Sequence, residues 1–219
     1  MPRRFEPKTA SLPPAQREIW PQLAAAHALQ FVLYGGTAVA LHLGHRESID
    51  FDFFRSAPLD KPLLQAKFKF LSDAQTIQED PQSLVVSTQA PSGAVRLSFF
   101  GTIAWGHVTE PLLTADGVLL VASLDDLMAT KLKAILDRAE AKDYRDIAAM
   151  LDAGVSLEKG LAAFSAMFRE DPALVLRALG YFKDGDLPTL PKRNREILEQ
   201  ARDRVTDIPE LTLMPGLLS

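Results

Sequence analysis

The stretch FVLYGGTAVALHLGHRESIDFDFF, residues 31–54, decides the fold. An apolar run ends at Gly35 and Gly36, a helix-like apolar segment follows, and Gly44 supplies a helix stop signal. The alternating segment SIDFDFF then predicts a strand, because successive side chains of a strand point to opposite faces. The stretch therefore predicts a strand, a glycine turn, a helix and a second strand.

Two aspartates share one face of the second predicted strand. Asp50 and Asp52 are two residues apart, whereas Phe51 and Phe53 point to the opposite face and can be buried. Carboxylates held this close repel each other unless a cation lies between them. Mg²⁺ binds carboxylate and phosphate oxygens together, so the pair predicts a site for Mg²⁺ or Mn²⁺.

The glycine turn predicts a phosphate site beside this metal site. Gly35 and Gly36 have no Cβ, so their backbone N–H groups can approach a ligand closely. Thr37 opens the following helix, whose N-terminus favours phosphate. Arg46 either meets a phosphate or lies on the surface. The alternative for the whole stretch is an ordinary turn beside a solvated strand.

The order and spacing of these motifs resemble a known signature. GGT, twelve residues and DFD resemble the DNA polymerase β-like nucleotidyltransferase superfamily. The string YGGTAVALHLGHRESIDFDFF, and ATKLKAILDRAEAKDYRDIAAML further on, are similar to the AbiEii/AbiGii toxin family of nucleotidyltransferases. The similarity covers residues 31–54 and 123–151.

The resemblance implies a fold, an activity and partners. The fold is α/β (α+β), a mixed sheet with flanking helices and a helical C-terminal part. The activity is metal-dependent transfer of a nucleoside monophosphate from an NTP to a hydroxyl, with release of pyrophosphate. Family members act in toxin–antitoxin modules, which implies a cognate antitoxin, and relatives act on tRNA 3′ ends. The family's phosphate-binding turn falls on Gly35, Gly36 and Thr37, and its metal ligands fall on Asp50 and Asp52.

A third carboxylate, usual in this superfamily, is absent where it is expected. The matching strand is AVRLSFFG, whose alternation makes Ser98 the residue that faces the site. Three explanations are open. An acidic residue from elsewhere in the chain replaces the missing carboxylate, catalysis uses fewer metal ligands, or the protein binds nucleotide without turnover.

A lysine lies inside the apolar stripe of the later helix. In SLDDLMATKLKAILDR, Ser123 is a candidate N-cap, and Lys131 falls among apolar positions while Lys133 falls on the polar side. Lys131 either extends to solvent or points at phosphates or site carboxylates, and the family places a functional lysine here. We expect Lys131→Ala to remove a phosphate contact without unfolding the protein.

Two further aspartates follow in RAEAKDYRDIAAML. Asp143 and Asp146 are three residues apart and share a helix face. They are either ordinary surface pairing partners, or they orient Lys131 or replace the missing carboxylate. The resemblance favours Asp146 first and Asp143 second.

The composition narrows the remaining possibilities. The chain has no cysteine, which excludes disulfides, thiolate metal sites and a cysteine nucleophile. A net charge of −4 gives no global basic field to attract nucleic acid, so an RNA contact would need a local patch. Signal-peptide and membrane-spanning patterns are lacking, so a cytoplasmic protein without membrane contact is expected.

The domain prediction divides the chain near Ser123. Residues 1–13 are expected to form a loose arm, residues 14–122 a nucleotidyltransferase-like core, and residues 123–219 a helical region that contributes site residues. Three functions stay open. They are an active nucleotidyltransferase toxin, a weakened relative that binds nucleotide, and a small-molecule nucleotidyltransferase.

Overall fold

The protein divides into two compact units. The structure, a computed structural model, describes residues 2–214 and 218. The first unit comprises the described parts of Met1–Gly106 and Glu110–Ala122 together with Leu218, and the second comprises His107–Thr109 and Ser123–Met214. No helix in these described ranges is long and apolar enough to cross a membrane.

A mixed eight-stranded sheet forms the first unit. The strands are β1 Arg4–Phe5, β2 Val32–Tyr34, β3 Asp50–Phe54, β4 Gln75–Asp80, β5 Ser83–Ala90, β6 Gly93–Phe100, β7 Leu112–Thr114 and β8 Leu120–Val121. Their order is β1-β7-β8-β2-β3-β6-β5-β4, and the β1/β7, β2/β8 and β3/β6 pairs are parallel while the others are antiparallel. The predicted mixed sheet is therefore confirmed.

Four α-helices accompany the strands in the described part of this unit. A 3₁₀ turn, Trp20–Leu23, separates the first two, because Pro21 cannot donate a helical hydrogen bond. The helices are α1 Pro14–Ile19, α2 Ala24–Ala28, α3 Gly35–Leu43 and α4 Lys61–Lys67.

Phenylalanines from neighbouring strands build the core under one face of the sheet. Phe51, Phe53 and Phe99 are fully buried, and the rings of Phe53 and Phe99 stack with centroids 5.3 Å apart. Burying one such side chain stabilises the fold by about 1.5–3 kcal/mol. The apolar residues of SIDFDFF thus fix which face of β3 is buried, and the aspartates take the other.

The predicted loose arm is wrong. Arg4 and Phe5 form β1, which pairs with β7, and the Lys8 N–H donates to the Leu41 carbonyl at 2.7 Å. The Phe5 ring also stacks on His42 with centroids 4.3 Å apart. Arg4 and Phe5 therefore belong to the sheet, and Lys8 is bonded to α3.

Helices make up the second unit. Ser123 caps the first of them, since its hydroxyl accepts a hydrogen bond from the Asp126 N–H at 3.1 Å, as the sequence predicted. The helices are α5 Leu124–Asp137, α6 Ala141–Asp152, α7 Leu157–Phe168, α8 Pro172–Ala178 and α9 Lys192–Arg204.

Candidate active site

Strand β3 presents its two aspartates on the face opposite the aromatic core. Phe51 and Phe53 are fully buried, whereas Asp50 and Asp52 are partly exposed. The strand backbone fixes both carboxylates at a spacing of two residues, about 7 Å along the chain. We call this side of β3 and of its neighbour β6 the acidic face.

Gly35 brings the backbone of α3 against the Asp52 carboxylate. The helix begins at Gly35, two residues earlier than predicted, and Gly35 has φ +74°. A Cβ at this position would lie 2.6 Å from Oδ2 of Asp52. Glycine is therefore required here for both its conformation and the space it leaves.

Gly36 lies against the Arg46 side chain. A Cβ on Gly36 would be 2.5 Å from Nη2 of Arg46 and 2.9 Å from Oγ of Ser48. The other guanidinium nitrogen, Nη1, donates to the Glu47 carbonyl at 2.8 Å. The structure thus brings Arg46 to the N-terminal turn of α3, where a positive charge and free helical N–H groups both favour an anion.

Thr37 links α3 to β3. Its hydroxyl donates a short hydrogen bond to the Asp50 carbonyl, and its side chain is buried. The hydroxyl proton is therefore used inside the fold. In this arrangement the turn can offer a phosphate its backbone N–H groups rather than the Thr37 hydroxyl.

The strand register places Ser98 directly beside Asp52. In the parallel β3/β6 pair, Asp52 lies opposite Ser98 and Asp50 lies opposite Arg96. On the next strand, Val85 lies opposite Ser98 and Ser87 opposite Arg96. Neither β6 nor β5 contributes a carboxylate at these positions. Among residues 2–214 and 218, no group of three or more His, Asp or Glu side chains could hold a metal.

Aromatic side chains continue the acidic face beyond the aspartates. The Phe54 and Phe100 rings stack with centroids 4.8 Å apart, and Trp105 lies 5.1 Å from Phe54. Tyr34, which pairs with Asp52 across β2 and β3, lies 5.9 Å from Trp105. The face therefore changes along β3 from charged at Asp50 to aromatic at Phe54.

In the second unit, Lys131 is the centre of a buried ion cluster. Its Nζ lies 2.6 Å from Oδ1 of Asp143 and 2.7 Å from Oδ2 of Asp146. Oδ2 of Asp143 also accepts a hydrogen bond from Nε of Arg138 at 2.8 Å. Lys131 is only 5% exposed, so the alternative in which it extends to solvent is wrong. Asp143 and Asp146 hold the lysine, as one of the sequence alternatives proposed.

The cluster changes the expectation for Lys131→Ala. Burial alone would raise the pKa of Asp143, but the Lys131 charge and the hydrogen bonds from Arg138 and Lys131 hold it below its usual value. Removing Lys131 leaves two buried carboxylates short of compensating charge. We therefore expect the substitution to affect folding, which differs from the sequence-based expectation.

Lys133 lies on the polar side of the same helix. Its Nζ is 2.6 Å from Asp137 and 3.1 Å from Glu170. The hydrogen bond to Asp137 and the contact with Glu170 raise the pKa of Lys133. These pairs are partly exposed and contribute little to stability.

Two contacts could not be predicted from sequence spacing alone. Arg138 lies in the connection between α5 and α6, yet its side chain contacts Asp143. Arg96 lies beside Asp50 only because β3 and β6 pair in one particular register. Periodicity within each strand predicts which residues share a face, but not which residue of another strand lies opposite.

The fold and the paired acids beside a glycine turn define a protein of the nucleotidyltransferase class. The family model described as the nucleotidyl transferase AbiEii toxin of type IV toxin–antitoxin systems matches residues 22–210. The chain therefore belongs to the AbiEii family of nucleotidyltransferase toxins, and the family resemblance seen in the sequence is confirmed. Such a toxin takes an NTP as substrate and has an antitoxin as partner.

Three individual proteins are similar to this chain at 16–27% sequence identity. An uncharacterized protein of Aquifex aeolicus (strain VF5) is 27% identical over 158 residues, which cover 70% of this chain and 74% of that protein. MenT4, a nucleotidyltransferase toxin of Mycobacterium tuberculosis H37Rv, is 16% identical with a TM-score of 0.54, covering 88% of this chain and 86% of that one. The antibiotic-resistance factor ANT(2'')-Ia is 16% identical with a TM-score of 0.49, covering 70% and 90%. The chain and MenT4 share a fold.

Proposed function

We propose that the chain transfers a nucleoside monophosphate from an NTP to a hydroxyl of RNA, with tRNA as a candidate acceptor, in a reaction that depends on Mg²⁺ or Mn²⁺. A cytoplasmic location is part of the proposal, since both substrates are found there. The observation that carries it is the packing of the Asp52 carboxylate against Gly35, within a chain of the AbiEii family. In this proposal, Asp52 is a metal ligand and the Gly35 turn binds phosphate, so the contact supports a metal site beside a phosphate site.

The residues present fit a divalent cation with oxygen ligands. Asp50 and Asp52 supply hard carboxylate oxygens from one strand face. Because Gly35 has no Cβ, its backbone can lie close to the Asp52 carboxylate. Mg²⁺ commonly binds one or two carboxylates and completes its coordination with substrate phosphates and water. When bound, the ion would neutralise charge on the triphosphate and favour attack at the α-phosphorus.

The chain's own groups bind and orient the donor in this proposal. The N–H groups at the start of α3 donate hydrogen bonds to the anionic triphosphate, and Arg46 adds a positive charge beside Gly36. Thr37 keeps α3 tied to β3, so the turn and the aspartates hold a constant distance. This is catalysis mainly by positioning and charge stabilisation, as phosphoryl transfer requires.

The bond changes of the step are simple. The acceptor oxygen forms a bond to the α-phosphorus, the bond from that phosphorus to the bridging oxygen breaks, and pyrophosphate leaves with the electron pair. The acceptor hydroxyl releases its proton to water. Ser98 occupies the position of β6 beside Asp52, so no carboxylate of β6 takes this proton at that position. The roles of Lys131, Asp143 and Asp146 in the reaction stay predictions from the resemblance.

Labelling separates the proposal from its alternatives. The purified chain is incubated with each α-³²P NTP and total cellular RNA, with Mg²⁺, with Mn²⁺ and with EDTA. We expect label in RNA with at least one NTP, and none with EDTA. If the protein binds NTP but labels no RNA with either metal, the weakened-relative alternative replaces the proposal. Label in small hydroxyl compounds alone would instead favour a small-molecule nucleotidyltransferase.

A further inference from the structure

Arg96 is a charged residue of the acidic face with no assigned role. It lies opposite Asp50 on one side and Ser87 on the other, and its side chain is exposed. Within the described part of the chain, its guanidinium makes no ion pair or hydrogen bond. The permanently charged Arg96 therefore lies next to the candidate site residue Asp50 and forms no ion pair that would stabilise the fold.

The sheet order gives Arg96 a definite side of the site. β3 lies between β2, which leads into the glycine turn, and β6, which carries Arg96. In phosphoryl transfer the attacking and leaving oxygens are roughly in line, on opposite sides of the phosphorus. If the glycine turn and Arg46 hold the leaving pyrophosphate, as the proposed function requires, the acceptor hydroxyl approaches from the β6 side. Arg96 is then on the acceptor's side of the aspartates.

We propose that Arg96 binds the phosphate next to the acceptor hydroxyl, which is the terminal internucleotide phosphate of a polynucleotide 3′ end. A guanidinium binds phosphate through two parallel hydrogen bonds. Neighbouring strands are about 4.8 Å apart, so its side chain reaches groups adjoining the Asp50 site. The same charge repels cationic acceptors. Arg96 thus determines acceptor specificity, and this inference rests on the proposed function.

Binding of unreactive probes tests the contact without turnover. Two tetranucleotides ending in a 3′-deoxynucleotide are compared, one with an ordinary terminal phosphodiester and one with an uncharged methylphosphonate at that linkage. We expect the wild type to bind the phosphodiester roughly tenfold more tightly, the size of one charge-assisted hydrogen-bond pair. Arg96→Gln should bind both probes equally.

Arg3→Gln is the matched control, because it removes one exposed positive charge from the same unit. It should keep the wild-type preference. A preference retained in Arg96→Gln, or lost equally in Arg3→Gln, would overturn the role of Arg96. So would a loss of NTP affinity in Arg96→Gln equal to its loss of probe affinity, since that would place Arg96 on the donor's side.

Kinetics distinguish failure of this inference from failure of the proposed function. In the RNA-labelling reaction, Arg96→Gln should raise the KM for RNA roughly tenfold and leave the KM for NTP within about twofold. If the wild type labels no RNA, the proposed function fails, and the probe comparison alone decides whether Arg96 binds a terminal phosphate. Normal KM values for both substrates in Arg96→Gln would refute the inference while leaving the proposed function intact.

Discussion

At the scale of single residues, the geometry of the site depends on one glycine. Gly35 has a left-handed φ of +74° and lies where a Cβ would be 2.6 Å from Oδ2 of Asp52. Gly35→Ala therefore adds backbone strain of about 1–2 kcal/mol and also displaces the carboxylate. We expect nucleotidyl transfer to fall at least tenfold and the melting temperature to fall by several degrees.

Gly117→Ala is the control for strain alone. Gly117 has φ +78° in the same unit, but nothing lies within 4 Å of the position that a Cβ would take there. Thermal melts and transfer assays of both variants separate the two effects. Similar losses of melting temperature with loss of activity only in Gly35→Ala support the contact with Asp52. Equal activity in the two variants would show that this contact is not needed.

The sequence predicted the residues of the acidic face because strand periodicity is short-range. Alternation alone places Asp50 and Asp52 together, and it places Ser98 on the matching face of its own strand. The sequence could not show whether Arg46 contacts a phosphate or lies on the surface. Its position beside Gly36 depends on the path of the loop before β3. Nor could the sequence show that the Thr37 hydroxyl bonds to the Asp50 carbonyl.

At the scale of elements, the long periodic segments were predictable, but strands β1 and β7 were not. The cap and apolar stripe of α5 are as the sequence indicated. In contrast, β1 has two residues and β7 three, too few for a pattern, and they form because a sheet edge offers backbone hydrogen-bond partners. Lys131 was correctly found in the apolar stripe, but its partners lie on the next helix.

Helices α5 and α6 are joined by the Lys131 cluster, which predicts unequal effects for the two lysines of α5. Lys131→Ala leaves Asp143 and Asp146 buried without their shared cation, so we expect a loss of about 3–5 kcal/mol in the free energy of unfolding. Lys133→Ala breaks only partly exposed pairs and should cost less than about 1 kcal/mol. Urea unfolding followed by circular dichroism measures both, and equal losses would contradict the buried cluster.

The same cluster predicts loss of stability in acid. The pKa of Asp143 in the folded protein lies below its ordinary value of 3.8, despite burial, because of the Lys131 charge and the hydrogen bonds from Arg138 and Lys131. Its contribution is therefore fully present well above pH 3.8, and it is lost as the pH falls through the lower folded value. Unfolding free energies measured from about pH 6 down to about pH 2.5 should fall less steeply for Asp143→Asn than for the wild type. An unchanged slope in Asp143→Asn would refute the assignment.

At the scale of the whole molecule, family membership spans both units, because the matched residues 22–210 include most of each. The fold class was predictable because the decisive motifs lie in contiguous strings. The acceptor was not, since Arg96, the residue proposed to contact it, has neighbours that depend on strand register. Ligand binding by the whole molecule is best measured as the change in melting temperature that the ligand causes, because unfolding involves the entire chain.

Replacing Asp50 and Asp52 together distinguishes a role in the fold from a role in the site. Their strand buries phenylalanines on the other face, so replacing both aspartates with asparagine keeps the core and removes repulsion between two carboxylates. We expect the double variant to melt at or above the wild-type temperature in metal-free buffer. Ligand at about 100 times its Kd stabilises a protein by about 2.7 kcal/mol, so Mg²⁺ with NTP should raise the wild-type melting temperature by several degrees. The double variant should show no such rise and no transfer. A clear fall in its metal-free melting temperature would mean that the aspartates serve the fold, whereas retained transfer would place the chemistry on other residues.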